Sequence, residues 1–189
     1  MKTQRVRPGW SALISLLFLV GEPGQAGEST GVSSGSHPAP VALHGLSASE
    51  VRALQEGEGM GLARPAELSG YPGPAHILDA ARQGKIQLYA EQRQAIERIH
   101  SAMKVEAQAL GREILALESR LEASFRAGGL EEAELARQVE EIGRKWAALR
   151  LAHLRAHLLT RSLLRPEQIE EYFQFRGLPA ESSQHRRGH

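Results

Sequence analysis

Two stretches decide the fold. The first is Leu88–Phe125, LYAEQRQAIERIHSAMKVEAQALGREILALESRLEASF, and the second is Leu130–Leu164, LEEAELARQVEEIGRKWAALRLAHLRAHLLTRSLL. Arg126-Ala127-Gly128-Gly129 separates them. The first carries apolar residues at Ile96, Ile99, Met103, Leu110, Ile114, Leu117, Leu121 and Phe125. The second carries them at Leu135, Val139, Ile142, Trp146 and Leu149, and then His153. Steps of three and four residues mark one apolar stripe on each of two long helices. Folding about Gly128 sets Leu121 against Leu135, Leu117 against Val139, Ile114 against Ile142 and Leu110 against Trp146. The same pivot sets Met103 against His153 and Ile99 against His157. The expectation is an antiparallel hairpin with arms of about 38 residues, a rod near 55 Å long at about 1.5 Å per residue. Such a rod needs short helices laid across it, a second copy, or both.

Working outward, Ser47-Ala48-Ser49-Glu50 fits a capping box that opens a short helix. Val51, Leu54 and Met60 are its inward candidates. Gly57-Glu58-Gly59-Met60-Gly61 ends it. These glycines follow no strand and precede no Gly-Lys-Ser/Thr, so they mark a turn rather than a phosphate loop. A further helical turn is expected over Leu62–Leu68. Ser69 to Pro74 is a break, followed by a short helix over Ala75–Ala81 that stops near Gly84. Beyond the hairpin, Pro166 opens a last helix carrying Ile169, Tyr172, Phe173 and Leu178.

The chain begins with Lys2, Arg5 and Arg7, then an apolar run from Trp10 to Val20 and the small-residue site Gly24-Gln25-Ala26. This pattern predicts a signal peptide cleaved after Ala26, with general export and no membrane insertion afterwards. Residues 27–46, rich in Gly, Ser and Pro and carrying His37 and His44, are expected to form a flexible linker. The helical domain is expected over residues 47–178, and residues 179–189 read as a polar, basic, disordered tail.

The 189 residues hold 23 basic and 22 acidic side chains. Near-balanced charge argues against a dedicated nucleic-acid binder, and 5% aromatics argue against base-stacking platforms. The absence of cysteine excludes disulfides, thiolate metal sites and cysteine nucleophiles. Asp79 is the only aspartate, and the other acids are glutamates, which suit helices better. No serine sits in a nucleophile-elbow setting and no HExxH occurs, so no enzymatic activity is expected.

Leu164-Arg165-Pro166-Glu167-Gln168 resembles the LTxxQ box of the Spy/CpxP family of periplasmic helical proteins. Leu88-Tyr89-Ala90-Glu91-Gln92 resembles a degenerate first copy. Tyr89 and Arg165 stand where the box has threonine. Gly59 to Ala63 and Tyr71 to His76 also resemble segments of exported family members described as periplasmic heavy-metal sensors. The likeness covers roughly residues 47 to 178. It implies an all-α, elongated Spy/CpxP/CnrX-like fold: a long antiparallel helical hairpin with short flanking N- and C-terminal helices. It further implies a periplasmic envelope-stress role. Some members are chaperones for unfolded proteins, some inhibit a sensor kinase, and metal-responsive relatives bind nickel, cobalt or zinc.

Two candidate sites follow. His153 and His157 lie one helical turn apart on one face. The pivot brings His100 and Met103 level with them, with Glu97 one turn before His100. Nitrogen, oxygen and thioether donors together suit a divalent transition metal (Zn, Ni, Co or Cu). The same residues also have a purely structural explanation, with His153 in the seam beside Met103 and with His157 and His100 at the solvent edge. The second candidate is a partner surface. Leu151, Leu154 and Leu158 widen the apolar face of the second arm, and Arg150 and Arg155 accompany them, with Arg144, Lys145 and Arg161 adding positive charge. Unfolded, partly acidic clients, a membrane-bound sensor or anti-sigma protein, and a homodimer partner are the expected occupants. Terminal helices laid over the leucines would be the bland alternative.

Overall fold

In the computed structural model, residues 43–177 are described. The proposed signal peptide, most of the proposed linker with His37, Leu178 and the proposed tail lie outside them. The described residues are all helical, in six helices. These are α1 (Ala48–Glu56), α2 (Arg64–Leu68), α3 (Pro74–Arg82), α4 (Ala90–Ala127), α5 (Glu132–Leu163) and α6 (Pro166–Arg176). None of them is long and apolar enough to cross a membrane.

The capping box at Ser47 forms. Its hydroxyl accepts from Glu50 N at 3.2 Å, and Glu50 Oε2 accepts from Ser47 N at 2.8 Å. Gly57, in the left-handed region at φ 67°, closes α1. Met60 does not face inward. It lies exposed in the loop with φ 43°, where the chain turns between the glycines.

α4 and α5 form the expected antiparallel hairpin. Its register differs from the one the apolar stripes suggest. Ile114 and Ile142 are both buried, as expected, but Val139 is 52% exposed and Gln138 is buried in its place. Cross-arm contacts Ser124–Gln138, Arg120–Glu141 and Glu113–Lys145 fix this register. The pivot lies beyond Gly128, within the connection spanning residues 128–131. Gln138 is tolerated inside because its amide donates to Ser124 Oγ at 3.1 Å and to Glu134 Oε1 at 2.8 Å. Phe125, placed on the apolar stripe by spacing, is exposed at the tip, where no other helix reaches it.

Two clusters hold the fold. At the open end, Ile77, Leu78 and Ala80 of α3 pack with Ile86, Ile96 of α4, Leu164, and Ile169, Tyr172 and Phe173 of α6. Nearer the middle, Leu54 of α1 packs with Ala107, Ile114 and Leu149 of the hairpin, with Leu110 and Trp146 against them. α1 approaches α4 so closely that a Cβ on Gly111 would lie 2.0 Å from the Leu54 carbonyl oxygen. α3 and α6 therefore close the open end, while α1 lies mainly along α4.

Candidate functional site on the two faces of the second long helix

The inner face of α5 carries Leu149, Ala152, His153, Ala156, His157 and Thr160, all buried. His153 and His157 open onto a cavity of about 250 Å³. α4 contributes His100, Met103 and Lys104 to its wall. Gly57 to Gly59 and the start of α3, Gly73 to His76, complete it. Four of the five metal candidates from the sequence are thus gathered here. Glu97 is not; it is exposed on α4 and absent from the wall. His157 is buried, not at a solvent edge, because the Tyr71-Pro72-Gly73 segment folds over it.

His157 Nδ1 donates to the Tyr71 carbonyl at 2.7 Å. That bond leaves Nε2 as the unprotonated nitrogen of the neutral ring. Gly73 passes so near that a Cβ there would lie 2.9 Å from Nε2. His153 is 5% exposed, and its Nε2 is buried without a hydrogen-bond partner. Burial pushes the pKa of His153 down, and the neighbouring His157 adds to the effect. Burial also lowers that of His157, overcoming the opposing pull of the Tyr71 carbonyl and Glu67. His100 is lowered by burial first, then by Lys104 and Arg82. Neutral imidazoles are the form that ligates metals or accepts hydrogen bonds at neutral pH.

His76 is the residue sequence reasoning missed. It sits in the first turn of α3, and its Nδ1 lies 2.9 Å from Glu67 Oε1 without hydrogen-bond alignment. Glu67 also accepts from Tyr172 Oη at 3.3 Å and Arg176 Nη2 at 3.2 Å, tying α2 to α6. Its signals in the sequence were Gly73-Pro74, which turns α3 back toward the hairpin, and its place at the end of the Tyr71–His76 stretch. Among the described residues no three His, Asp or Glu side chains already stand at metal-holding spacing. The donors share a cavity without being gathered into a ligand set.

The outer face of α5 is different. Leu151 and Leu158 are 53% and 58% exposed. Leu154, between them, is half-buried. At about 100° per residue, Ala147, Leu151, Leu154 and Leu158 fall within an arc of roughly 60° opposite Leu149. They do not widen the inner stripe, as the sequence suggested; they form a second, separate one. Arg150 and Arg155 flank it on either side. Arg155 Nη1 lies 3.6 Å from Glu106, and both side chains are about half exposed. Among the described residues Arg150 and Arg161 have no carboxylate within 4.0 Å. The flanking helices leave Leu151 and Leu158 uncovered.

The fold and these two faces define an all-helical hairpin with a polar cavity inside its open half and a narrow leucine seam outside it. Comparison of the chain with family models, curated proteins and solved structures gives no match.

Proposed function

We propose that this chain is an exported envelope-stress protein that binds unfolded or partner proteins, as a Spy/CpxP-like chaperone or modulator. The observation that carries the proposal is the bare outer face of α5. α1 and α6 dock elsewhere, α2 and α3 touch α5 only slightly, and Leu151 and Leu158 remain open. Apolar residues exposed in a continuous seam, unlike apolar side chains exposed singly, mark a binding surface. The two LTxxQ-like stretches add support, since their glutamines join the hairpin's open end to α6. Suppression of aggregation of a chemically denatured test protein, without ATP or metal, tests the proposal. The chain is expected to suppress it, and Leu151→Asp/Leu158→Asp to lose the effect. Unaltered aggregation across a range of ratios would sink the proposal.

A second function, metal response, is supported by one observation: His153 Nε2 is buried and unpartnered in a cavity shared with His76, His100, His157 and Met103. In this proposal these residues hold a divalent transition metal, Zn, Ni, Co or Cu, with small side-chain movements gathering the donors. Lys104 on the same wall opposes a bound cation. Calorimetric titration of the tag-free chain with each metal is the test. Stoichiometric binding lost in His153→Ala/His157→Ala is expected, and binding unchanged in that variant would remove the site.

A further inference from the structure

We infer that the outer face of α5 takes one acidic amphipathic helix of a different protein, in coiled-coil register, and rejects a second copy of this chain. The inference rests on the partner-binding function proposed above and names the chemistry of the partner.

Three observations lead there. The first is spacing. Ala147, Leu151, Leu154 and Leu158 follow steps of four, three and four, the repeat of a coiled-coil seam. The seam is about 16 Å long at about 1.5 Å per residue. That length matches a partner helix of about three turns or slightly more.

The second is width. An arc of roughly 60° suits a helix partner, whereas a helix lying in a membrane surface needs a broad apolar face. Arginines stand directly at both edges of the seam, where a coiled coil places the charges that choose partners.

The third is charge. From Ile142 to Pro166 the chain has no acidic residue, and it carries Arg144, Lys145, Arg150, Arg155, Arg161 and Arg165. With Leu151 and Leu158 at the first core position of each heptad, Arg150 precedes the seam and Arg155 follows it. In a parallel pair of identical helices, Arg150 of one would face Arg155 of the other. In an antiparallel pair with the seams fully overlapped, Leu151 would meet Leu154, Arg150 would come level with His157 and Arg155 with Ala148, so neither arginine would find a carboxylate of this segment. The parallel arrangement repels, and the antiparallel one supplies no ion pair. A partner with glutamates at those flanking positions turns each contact into an ion pair.

Two synthetic helical peptides of about three heptads provide the probe. They share one leucine seam and carry either glutamate or lysine at every flanking position. Fluorescence anisotropy with the purified chain should show the glutamate peptide binding at least about tenfold tighter, an advantage that shrinks with added salt. Arg150→Glu/Arg155→Glu should reverse the preference toward the lysine peptide. Leu151→Asp/Leu158→Asp should abolish binding of both while leaving the helical circular-dichroism signal unchanged. Equal binding of the two peptides, or no binding, overturns the inference. So does binding to phosphatidylglycerol vesicles that the leucine variant removes, since the occupant is then a membrane. So does self-association in sedimentation velocity that the leucine variant dissolves, since the occupant is then a second copy. Should the chain suppress aggregation yet discriminate neither peptide, the proposed function stands and the acidic-helix inference falls. Failure in both assays removes both.

Discussion

The side-chain amides of Gln92 and Gln168 bond to each other in both directions, each Nε2 donating to the other's Oε1 at 3.0 Å. The arrangement is nearly two-fold. Gln92 Oε1 also accepts from Tyr89 N at 3.0 Å, and Gln168 Oε1 from Arg165 N at 2.9 Å, so each caps its own helix. Gln92 Nε2 donates to the Leu163 carbonyl at 2.7 Å, and Gln168 Nε2 to the Gln87 carbonyl at 2.6 Å. Every polar atom of the two amides is used. The pair locks the start of α4 to the start of α6 at the hairpin's open end. Because removing one partner strands buried polar groups, Gln168→Ala should cost about 2–3 kcal/mol in urea unfolding, the upper part of the usual range. Gln92→Ala should then cost little more in that background. Fully additive losses would show that the two amides act independently.

Tyr89 and Arg165, the residues that stand at threonine positions in the two stretches, meet across the same junction. The Arg165 guanidinium lies 5.0 Å from the centre of the Tyr89 ring. Neither side chain supplies the hydroxyl that would cap N3, and only the glutamine half of each box is made. The two departures therefore compensate through a cation–π contact. A double-mutant cycle of Tyr89→Leu and Arg165→Met should return a coupling of about 0.5–1 kcal/mol. A coupling of zero would leave the two replacements unrelated.

Two helical glycines should respond in opposite directions to alanine. Gly111 faces α1, and an added methyl would overlap the Leu54 carbonyl, so Gly111→Ala should destabilise by about 3 kcal/mol. Gly143 lies on the exposed side of α5, where an added methyl would meet nothing within 4 Å. Gly143→Ala should raise stability by up to about 1 kcal/mol through helix propensity. Thermal melts of the two variants check both, and a neutral Gly111→Ala would contradict the tight approach of α1.

Acid should loosen the cavity. His100, His153 and His157 have lowered pKa values in the fold. Below the ordinary histidine value of about 6.5 the unfolded chain therefore binds more protons than the folded one. Their contribution to stability is full above that value and is lost as pH falls below it. The melting temperature should drop between about pH 7 and pH 5, a window above the titration of the carboxylates. His153→Gln/His157→Gln should flatten that slope whatever it does to stability at neutral pH. A variant with the parent's slope would place the pH sensitivity elsewhere.

Gly73 holds the Tyr71 carbonyl and His157 together. A methyl at Gly73 would press on the imidazole at 2.9 Å from Nε2. Gly73→Ala should disturb the His157–Tyr71 bond, and the His157 ring signals in an NMR spectrum should shift while those of His44 stay in place. Unmoved His157 signals would show that the loop gives way instead.

Local pattern determined much of this molecule. The capping box at Ser47, the glycine turn at 128 and 129, the proline starts of α3 and α6, and the stripes of α4 and α5 are each written within a few residues of one another. Backbone and side-chain sterics act over that range, so six helices and a hairpin follow from the sequence by itself. The register did not. The pivot moved into residues 128–131, and that turned Gln138 inward and Val139 outward, because the turn's path and cross-arm polar bonds outweigh apolar counting. The candidate site was half legible: helical spacing joined His153 to His157 and the hairpin added His100 and Met103. The burial of His157 and the arrival of His76 came from α3 and the Tyr71 loop folding back over the hairpin, while Glu97 stays exposed on α4 outside the wall. Whether Leu151, Leu154 and Leu158 would be covered was also a tertiary outcome. It was settled by where the flanking helices found apolar surface to bury, chiefly on α4 and at the open end, leaving Leu151 and Leu158 exposed.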